Sequence, residues 1–170
     1  FKDYEPEPLK ASFRFDTGED GALVMEPSLA YGSYEFHPLE DENLPRTICR
    51  DVPGEFRVSQ LIHKYFRYKD PEGRRLVIRN NEDEIYRLMT EGMDEFRSMG
   101  DVYVSENLRQ WEVLAPPRVT VGASAAGGWL ELDVDMGGMN SQELNRILAA
   151  YSQKKKYYRL KNGQFLGLDE

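Results

Sequence analysis

Alternating hydrophobic and polar residues near the start of the chain predict β-strands. Phe13 and Phe15 share one face of the run over residues 11–16, and the pattern resumes over residues 22–25 after a polar turn. Residues 29–36 carry Tyr31, Tyr34 and Phe36 and predict a third strand. Turn-forming residues between short alternating runs are typical of hairpins. The first 36 residues therefore predict an antiparallel sheet.

Three later segments have the spacing of an amphipathic helix. In the first, apolar residues from Val58 to Tyr65 recur at i, i+3, i+4 and i+7. The second begins after Asn80 and we expect it to end at Gly100, where a positive φ costs a glycine little. The third covers the apolar positions from Leu144 to Tyr151. The candidate N-caps of the three helices are Asp51, Asn81 and Asn140, the last two in capping-box patterns with Glu84 and Glu143.

Short strands separate these helices and complete the fold prediction. They are residues 66–68 and 76–78, residues 102–104, a hairpin over 119–134 that turns at Gly127-Gly128, and a terminal hairpin around Asn162-Gly163. Strands and helices do not alternate as βαβ units, so the pattern favours an α+β fold with mostly antiparallel strands and hairpins and about three amphipathic helices. The Pro116-Pro117 pair suggests a division into an N-terminal α+β part, residues 1–112, and a strand-strand-helix-hairpin subdomain, residues 113–170.

Composition is that of an ordinary globular domain. Of 170 residues, 40% are hydrophobic and 31% charged, and no stretch approaches the roughly 20 apolar residues that span a membrane. The single Cys49 rules out an internal disulfide, which suits a cytoplasmic location, and we expect it to be a small buried core residue. The chain begins at Phe1 rather than Met, so we expect it to be part of a longer polypeptide.

Charge is distributed unevenly along this acidic chain. The net charge is −8, yet residues 57–79 carry seven basic and two acidic side chains, and residues 144–170 carry six basic and two acidic ones. We call residues 57–79 the first basic segment and residues 154–161 the second. Their candidate DNA or motor-domain contacts are Arg57, Lys64, Arg67, Lys69, Arg74, Arg75, Arg79, Lys154, Lys155, Lys156, Tyr157, Tyr158, Arg159 and Lys161. In the alternative interpretation, these cations neutralise acidic neighbours within the fold.

The residues do not form a recognisable catalytic or metal-binding pattern. His37 and His63 are the only histidines, and neither has a cysteine or carboxylate at zinc-ligand spacing. The glycine-rich run over residues 122–128 lacks the Lys-Ser/Thr of a phosphate-binding loop. Basic residues interleaved with aromatic ones, as in the second basic segment, can contact phosphates and stack on bases. We therefore predict no catalytic residue, metal or cofactor site in this chain.

An ordered series of motifs in the second half resembles a known family. The motifs are VYVSENL at 102–108, RVTVG at 118–122, GWLEL at 128–132, the helix over 143–151 and KKKYYRLKNGQFL at 154–166. Together they resemble the helicase-associated domain of bacterial SWI/SNF-type DNA-dependent ATPases, and residues 1–101 resemble the preceding part of that region loosely. In that family this region precedes the ATPase motor and commonly follows a SWIM-type zinc finger.

The resemblance implies a cytoplasmic protein that binds ATP and Mg in a motor domain elsewhere in the polypeptide. It implies a non-catalytic accessory domain, with that motor domain and double-stranded DNA as partners and no membrane. A second hypothesis is an acidic autoinhibitory or protein-interaction domain that makes no direct DNA contact. A third, an independent hydrolase that uses Cys49 or clustered carboxylates, has no motif in its favour.

Overall fold

The computed structural model of the chain describes residues 6–40, 43–115, 118–124, 127–133 and 140–169. The chain divides into two compact units, Phe1–Arg109 and Gln110–Glu170, which we call unit 1 and unit 2. In the part of the chain that the structure describes, no helix has the length and apolar content needed to cross a bilayer.

Unit 1 is built on a six-stranded sheet. Its strands are β1 (Leu9–Thr17), β2 (Leu23–Tyr31), β3 (Tyr34–Phe36), β4 (Tyr68–Lys69), β5 (Leu76–Ile78) and β6 (Asp101–Val104). They lie in the order β4-β5-β2-β1-β6, and β3 also pairs with β2. All neighbours are antiparallel except β1 and β6, which are parallel.

The β1–β2 hairpin forms the centre of this sheet. Phe13 pairs with Pro27 and Phe15 pairs with Met25, and all four side chains are buried on one face. β2 runs without a break to Tyr31, so the predicted third strand over residues 29–36 is wrong: only residues 34–36 form it, after a turn. Pro27 does not end the strand because it lies between the stretches of β2 that pair with β5 and with β3.

Four α-helices and one π-helical turn complete unit 1 among its described residues. They are α1 (Val52–Tyr65), α2 (Glu82–Arg87), a π-helical turn over Leu88–Gly92, α3 (Met93–Met99) and α4 (Glu106–Arg109). The predicted N-caps are confirmed: Asp51 accepts a hydrogen bond from the Gly54 amide at 3.0 Å, and Asn81 accepts one from the Glu84 amide at 3.1 Å. The second predicted helix is therefore real, but a π-helical turn interrupts it.

Phe96 of α3 is the centre of the core in unit 1. Its ring centroid lies 4.8 Å from that of Phe13 and 5.4 Å from that of Phe15, both in edge-on contact. Tyr65 and Phe66, at the end of α1, contact the same ring at 6.0 and 6.4 Å. Because Phe66 is the buried C-cap of α1, the strand predicted over residues 66–68 begins only at Tyr68.

The start of α1 is fixed to β2 by a polar network. The Tyr31 hydroxyl donates to Glu55 at 2.6 Å and accepts from the Asp51 amide at 2.7 Å. Arg50 donates to both Glu55 oxygens, at 3.0 and 2.5 Å. Burial, with the hydrogen bond to Glu55, raises the pKa of Tyr31 to about 12, and the bond from Arg50 lowers the pKa of Glu55. The network couples the sheet to the helix on which the first basic segment begins.

Among its described residues, unit 2 contains one helix and two small sheets. α5 (Ser141–Ser152) begins at Asn140, whose side chain accepts from the Glu143 amide at 2.8 Å, as predicted. β7 (Val113–Leu114), β10 (Tyr157–Arg159) and β11 (Phe165–Gly167) form a sheet in the order β10-β11-β7, with β11 and β7 parallel. β8 (Arg118–Ser124) pairs antiparallel with β9 (Gly127–Asp133). Gly127 and Gly128 pair with Ser124 and Ala123, so the turn predicted at these two glycines is wrong.

The core of unit 2 lies between α5 and the terminal hairpin. It consists of Ile147, Ala150, Leu160, Leu166 and Leu168, with Leu114 and Tyr158 packed against it. The hairpin predicted around Asn162-Gly163 is confirmed. Its turn is closed by a hydrogen bond from the Gly163 amide to the Leu160 carbonyl at 3.0 Å, and Gly163 has a φ of 95°. Both units are α+β with mostly antiparallel strands, which confirms the predicted fold class.

Gly100 is required by a close backbone contact. Its φ is −178°, an extended conformation open to any residue, so the predicted role of a positive φ at this helix end is wrong. A β-carbon at Gly100 would lie 2.2 Å from the carbonyl oxygen of Ala11 in β1. The glycine thus allows the chain to leave α3 against β1 and enter β6, which pairs with β1.

We predict that Gly100→Ala destabilises the protein by about 1–3 kcal/mol, because two backbone segments would have to separate. Urea unfolding followed by far-ultraviolet circular dichroism measures the change. Gln60→Ala, at an exposed position of α1, is the control and should leave the midpoint unchanged. An unaltered midpoint for Gly100→Ala would contradict this interpretation of the contact.

Candidate nucleic-acid interface

The first basic segment runs from α1 through β4 and β5 to residue 79. Four of its seven basic side chains form ion pairs with carboxylates of unit 1. The pairs are Lys64 with Glu95, Arg67 with Glu84, Arg74 with Glu26 and Glu40, and Arg75 with Asp70. Among the described residues, the exposed Arg57, Lys69 and Arg79 form no ion pair. These contacts support the interpretation that the segment neutralises acidic neighbours.

Lys64 belongs to a network between α1 and α3. Its ammonium donates to Glu95 at 2.6 Å, and the Tyr65 hydroxyl donates to the other oxygen of the same carboxylate. The hydrogen bond from Lys64, followed by that from Tyr65, lowers the pKa of Glu95. Burial, followed by the bond to Glu95, raises the pKa of Tyr65. Lys64 therefore holds two helices together, and a phosphate would have to compete with Glu95 for it.

Arg74 is held in a mixed-charge depression beside β2 and β3. Its guanidinium lies 3.3 Å from Glu26 and 2.7 Å from Glu40. Beneath it, the buried His37 accepts from the Leu39 amide at Nδ1 (3.1 Å), so Nε2–H donates to the Arg74 carbonyl at 2.7 Å. The depression encloses about 330 Å³. Its lining includes two arginines, Arg14 and Arg74, and three glutamates, Glu26, Glu35 and Glu40, which leaves no net positive charge for an anion.

The second basic segment begins where α5 ends. The Lys154 amide donates to the Tyr151 carbonyl at 3.0 Å, and the Lys155 amide donates to the Ala150 carbonyl at 3.1 Å. This pair of bonds is a Schellman motif, in which the residue at the Lys154 position is left-handed and usually glycine. Lys154 has a φ of 58° despite its side chain. Lys154, Lys155 and Lys156 are all exposed, and among the described residues none of them forms an ion pair.

The aromatic residues and the arginine of the second basic segment face into unit 2. The Arg159 guanidinium lies between two rings, 4.6 Å from the Trp111 centroid and 4.2 Å from that of Phe165, and its Nε donates to the Gly163 carbonyl at 2.5 Å. Tyr157 contacts Phe165 edge-on at 5.3 Å. Tyr158 packs against the core of unit 2. These three predicted contact residues are therefore engaged within unit 2.

Lys161 lies at the opposite end of α5 from the other three lysines. Its backbone amide donates to the carboxylate of Glu143, in the first turn of α5, at 3.1 Å. Its side chain is exposed and has no ion pair with any described residue. We call Lys154, Lys155, Lys156 and Lys161 the lysine cluster.

Comparison with known protein families gives a match that covers nearly the whole chain. Residues 2–170 match the family described as bacterial SNF2 helicase associated. The chain belongs to this family. No curated protein and no solved structure matches it. The match agrees with the predicted resemblance and extends it over residues 1–101, where the motifs are weak.

The two units of this SNF2 helicase-associated domain differ in charge. Unit 1 carries 15 basic and 23 acidic residues, which accounts for the entire net charge of −8. Unit 2 carries seven of each, and five of its basic residues lie between Lys154 and Lys161. A field that attracts phosphate is therefore expected beside the lysine cluster and not beside unit 1 as a whole.

Several residues of the SNF2 helicase-associated domain differ from expectation. Cys49 is exposed, so the expected burial is wrong. No sequence pattern indicated that His37 contacts Arg74 or that Trp111 contacts Arg159, because these partners lie 37 and 48 residues away in the chain. The capping-box pattern indicated Glu143 as part of the helix cap, but its carboxylate accepts from the backbone amide of Lys161.

Within the described residues, no three His, Cys, Asp or Glu side chains form a group that could hold a metal ion. The carboxylates of residues 131–135 lie outside the described side chains.

We predict that Glu95→Gln lowers the free energy of unfolding at pH 7 by up to about 1 kcal/mol, the limit for a pair this exposed. Because the pKa of Glu95 is lowered in the folded state, its contribution is complete above the ordinary value of 4.5 and is lost as the pH falls through the folded value. The difference between the variant and the original protein should therefore shrink on acidification below pH 4.5.

Urea titrations at several pH values measure this difference. The control is Asp94→Asn, which changes the neighbouring carboxylate; that side chain is 83% exposed and, among the described residues, forms an ion pair only with Arg97. It should have little effect at any pH. A Glu95→Gln effect that stays constant with pH would show that the carboxylate charge is not what stabilises the network.

Proposed function

We propose that this SNF2 helicase-associated domain is a non-catalytic accessory domain that positions DNA for the motor of the same polypeptide through its lysine cluster. The proposal rests on a difference in ion pairing between the two basic segments. Four of seven cations in the first are paired with carboxylates, whereas all four lysines of the cluster are exposed with no ion pair among the described residues. When exposed, unpaired cations bind phosphates, they release the counterions that are condensed on the DNA. This release is the main source of non-specific DNA affinity.

The proposal includes the rest of the polypeptide. Membership of the family supports a SNF2-type motor as the partner domain. In this proposal ATP and Mg bind to that motor, the protein acts in the cytoplasm, and the accessory domain supplies no catalytic group. Unit 1 then serves as the scaffold, and Arg57, Lys69 and Arg79, which form no ion pair with a described residue, are the remaining candidates for contact with the motor domain.

A triple variant of the lysine cluster tests DNA contact. Lys154→Gln, Lys155→Gln and Lys156→Gln together should weaken binding of a fluorescent duplex by at least about tenfold at low salt. They should also reduce the slope of log K against log salt by about 2.7, because three phosphate contacts are lost. Fluorescence anisotropy at several salt concentrations measures both quantities.

The matched control removes the same charge from the first basic segment. Lys64→Gln, Arg67→Gln and Arg75→Gln together change the net charge by the same amount, but these side chains are paired with Glu95, Glu84 and Asp70. The control should therefore bind nearly as well as the original protein. Equal losses in the two triple variants would mean that only net charge matters and would contradict a localised site.

A second candidate function rests on the charge of unit 1. Its net charge of −8 would allow it to occupy a basic DNA-binding cleft on the motor domain and compete with DNA. Under this autoinhibitory function, deletion of the domain from the full-length protein should raise ATPase activity in the absence of DNA. Steady-state ATP hydrolysis measures this. Unchanged DNA-independent activity would exclude autoinhibition and leave the positioning function in place.

A further inference from the structure

The described aromatic residues of the second basic segment leave little surface for base stacking. Tyr157 and Tyr158 are half-buried against Phe165 and the core of unit 2, and the Arg159 guanidinium covers one face of Trp111. Proteins that bind single strands without sequence preference stack bases on exposed aromatic rings beside a basic groove. The lysine cluster can therefore bind phosphates, but the described aromatic rings of this segment leave little surface on which bases could stack.

The backbone that carries these lysines is fixed. The Schellman bonds hold Lys154 and Lys155, and the Lys156 carbonyl accepts from the Leu168 amide at 2.9 Å. Lys154 adopts its left-handed conformation at a cost in stability that glycine would avoid. At this helix end a lysine is less stable than a glycine would be. Residues that are kept in such unfavourable backbone conformations concentrate at functional sites.

The lysine cluster has two separate points of contact. Lys154 follows the last turn of α5, whereas the backbone of Lys161 is bonded to Glu143 in the first turn. Along an α-helix the 11 positions between residues 143 and 154 span about 16 Å. Measured along the axis of a duplex, that distance corresponds to roughly five base-pair steps of about 3.4 Å each, so the two ends of α5 are too far apart to share one phosphate. A regular double helix presents phosphates at such separations in a fixed arrangement.

We propose that the lysine cluster contacts the phosphate backbone of double-stranded DNA at two points, one at each end of α5, and makes no base contacts. This inference rests on the proposed function and specifies the ligand of the same site. Binding is then independent of sequence and is stronger for duplex than for single-stranded DNA, whose lower charge density gives a smaller counterion release.

The ligand preference is tested with three probes of equal length: two duplexes of unrelated sequence and one single strand. Anisotropy titrations of the whole chain should give equal affinities for the two duplexes and weaker binding of the single strand. With four lysines, the duplex slope of log K against log salt should reach about −3.6 at most. A tighter complex with the single strand, or a tenfold preference for one duplex, would overturn the inference and leave the proposed DNA contact intact.

The two-point arrangement is tested with Lys154→Gly and Lys161→Gln. Each should reduce the duplex slope by about 0.9, and the double variant by about 1.8, because the two points act independently. If Lys161→Gln leaves the slope unchanged, the second point does not exist and the inference fails.

Loss of folding cannot account for the expected effect of Lys154→Gly. Glycine is the usual residue at a left-handed helix end, so the urea midpoint should rise while DNA affinity falls. Both tryptophans, Trp111 and Trp129, lie in unit 2, so their fluorescence reports its unfolding. Lys155→Gly is the control: it removes the same charge where φ is not positive, and its midpoint should not rise. No duplex binding by the original protein at low salt would overturn the proposed function and this inference together.

Discussion

The contact between α5 and the terminal hairpin determines where unit 2 presents its charge. Ile147 of α5 and Leu166 of β11 are fully buried in one hydrophobic cluster, which also contains Leu160. Because the hairpin packs on the helix, the chain that leaves the C-terminus of α5 runs back toward its first turn. The lysines before β10 and the lysine after it are thereby placed at opposite ends of one helix. Tyr158 and Arg159, between them, are used to hold the hairpin in place.

Unit 1 uses its basic residues differently. Phe96 joins α1 and α3 to the sheet, and the polar groups around this core are paired across elements: Lys64 with Glu95, and Arg74 with Glu26 and Glu40. Cations used in this way contribute to the fold and have a smaller field at the surface. The same residue types therefore have different roles in the two units, and this difference is the physical basis for placing DNA contact in unit 2.

The sequence predicts the features that depend on local chemistry. The caps Asp51, Asn81 and Asn140 and the hairpin at Gly163 follow from side chains within a few residues of one another, and all are found in the structure. Other positions are decided by a distant partner. Gly100 is needed because of Ala11 in β1 and not because of its φ, and no local pattern indicated it.

The candidate site shows the same limit. Charge counts identified both basic segments, but the partners of Lys64 and Arg74 lie 31 and 48 residues away along the chain. The stack of Arg159 on Trp111 likewise joins residues that no sequence spacing relates. Composition can therefore locate cations but cannot distinguish those that pair within the fold from those that remain available. That distinction requires the tertiary structure.

In the proposed function, DNA contact lies in the lysine cluster and not in the first basic segment. Two-dimensional ¹H–¹⁵N NMR spectra of the whole chain, recorded while duplex DNA is added at low salt, test it residue by residue. We expect amide shift changes to concentrate at Lys154, Lys155, Lys156 and Lys161, with little change over residues 57–79. Shift changes centred on residues 57–79, with the lysine cluster unaffected, would contradict it.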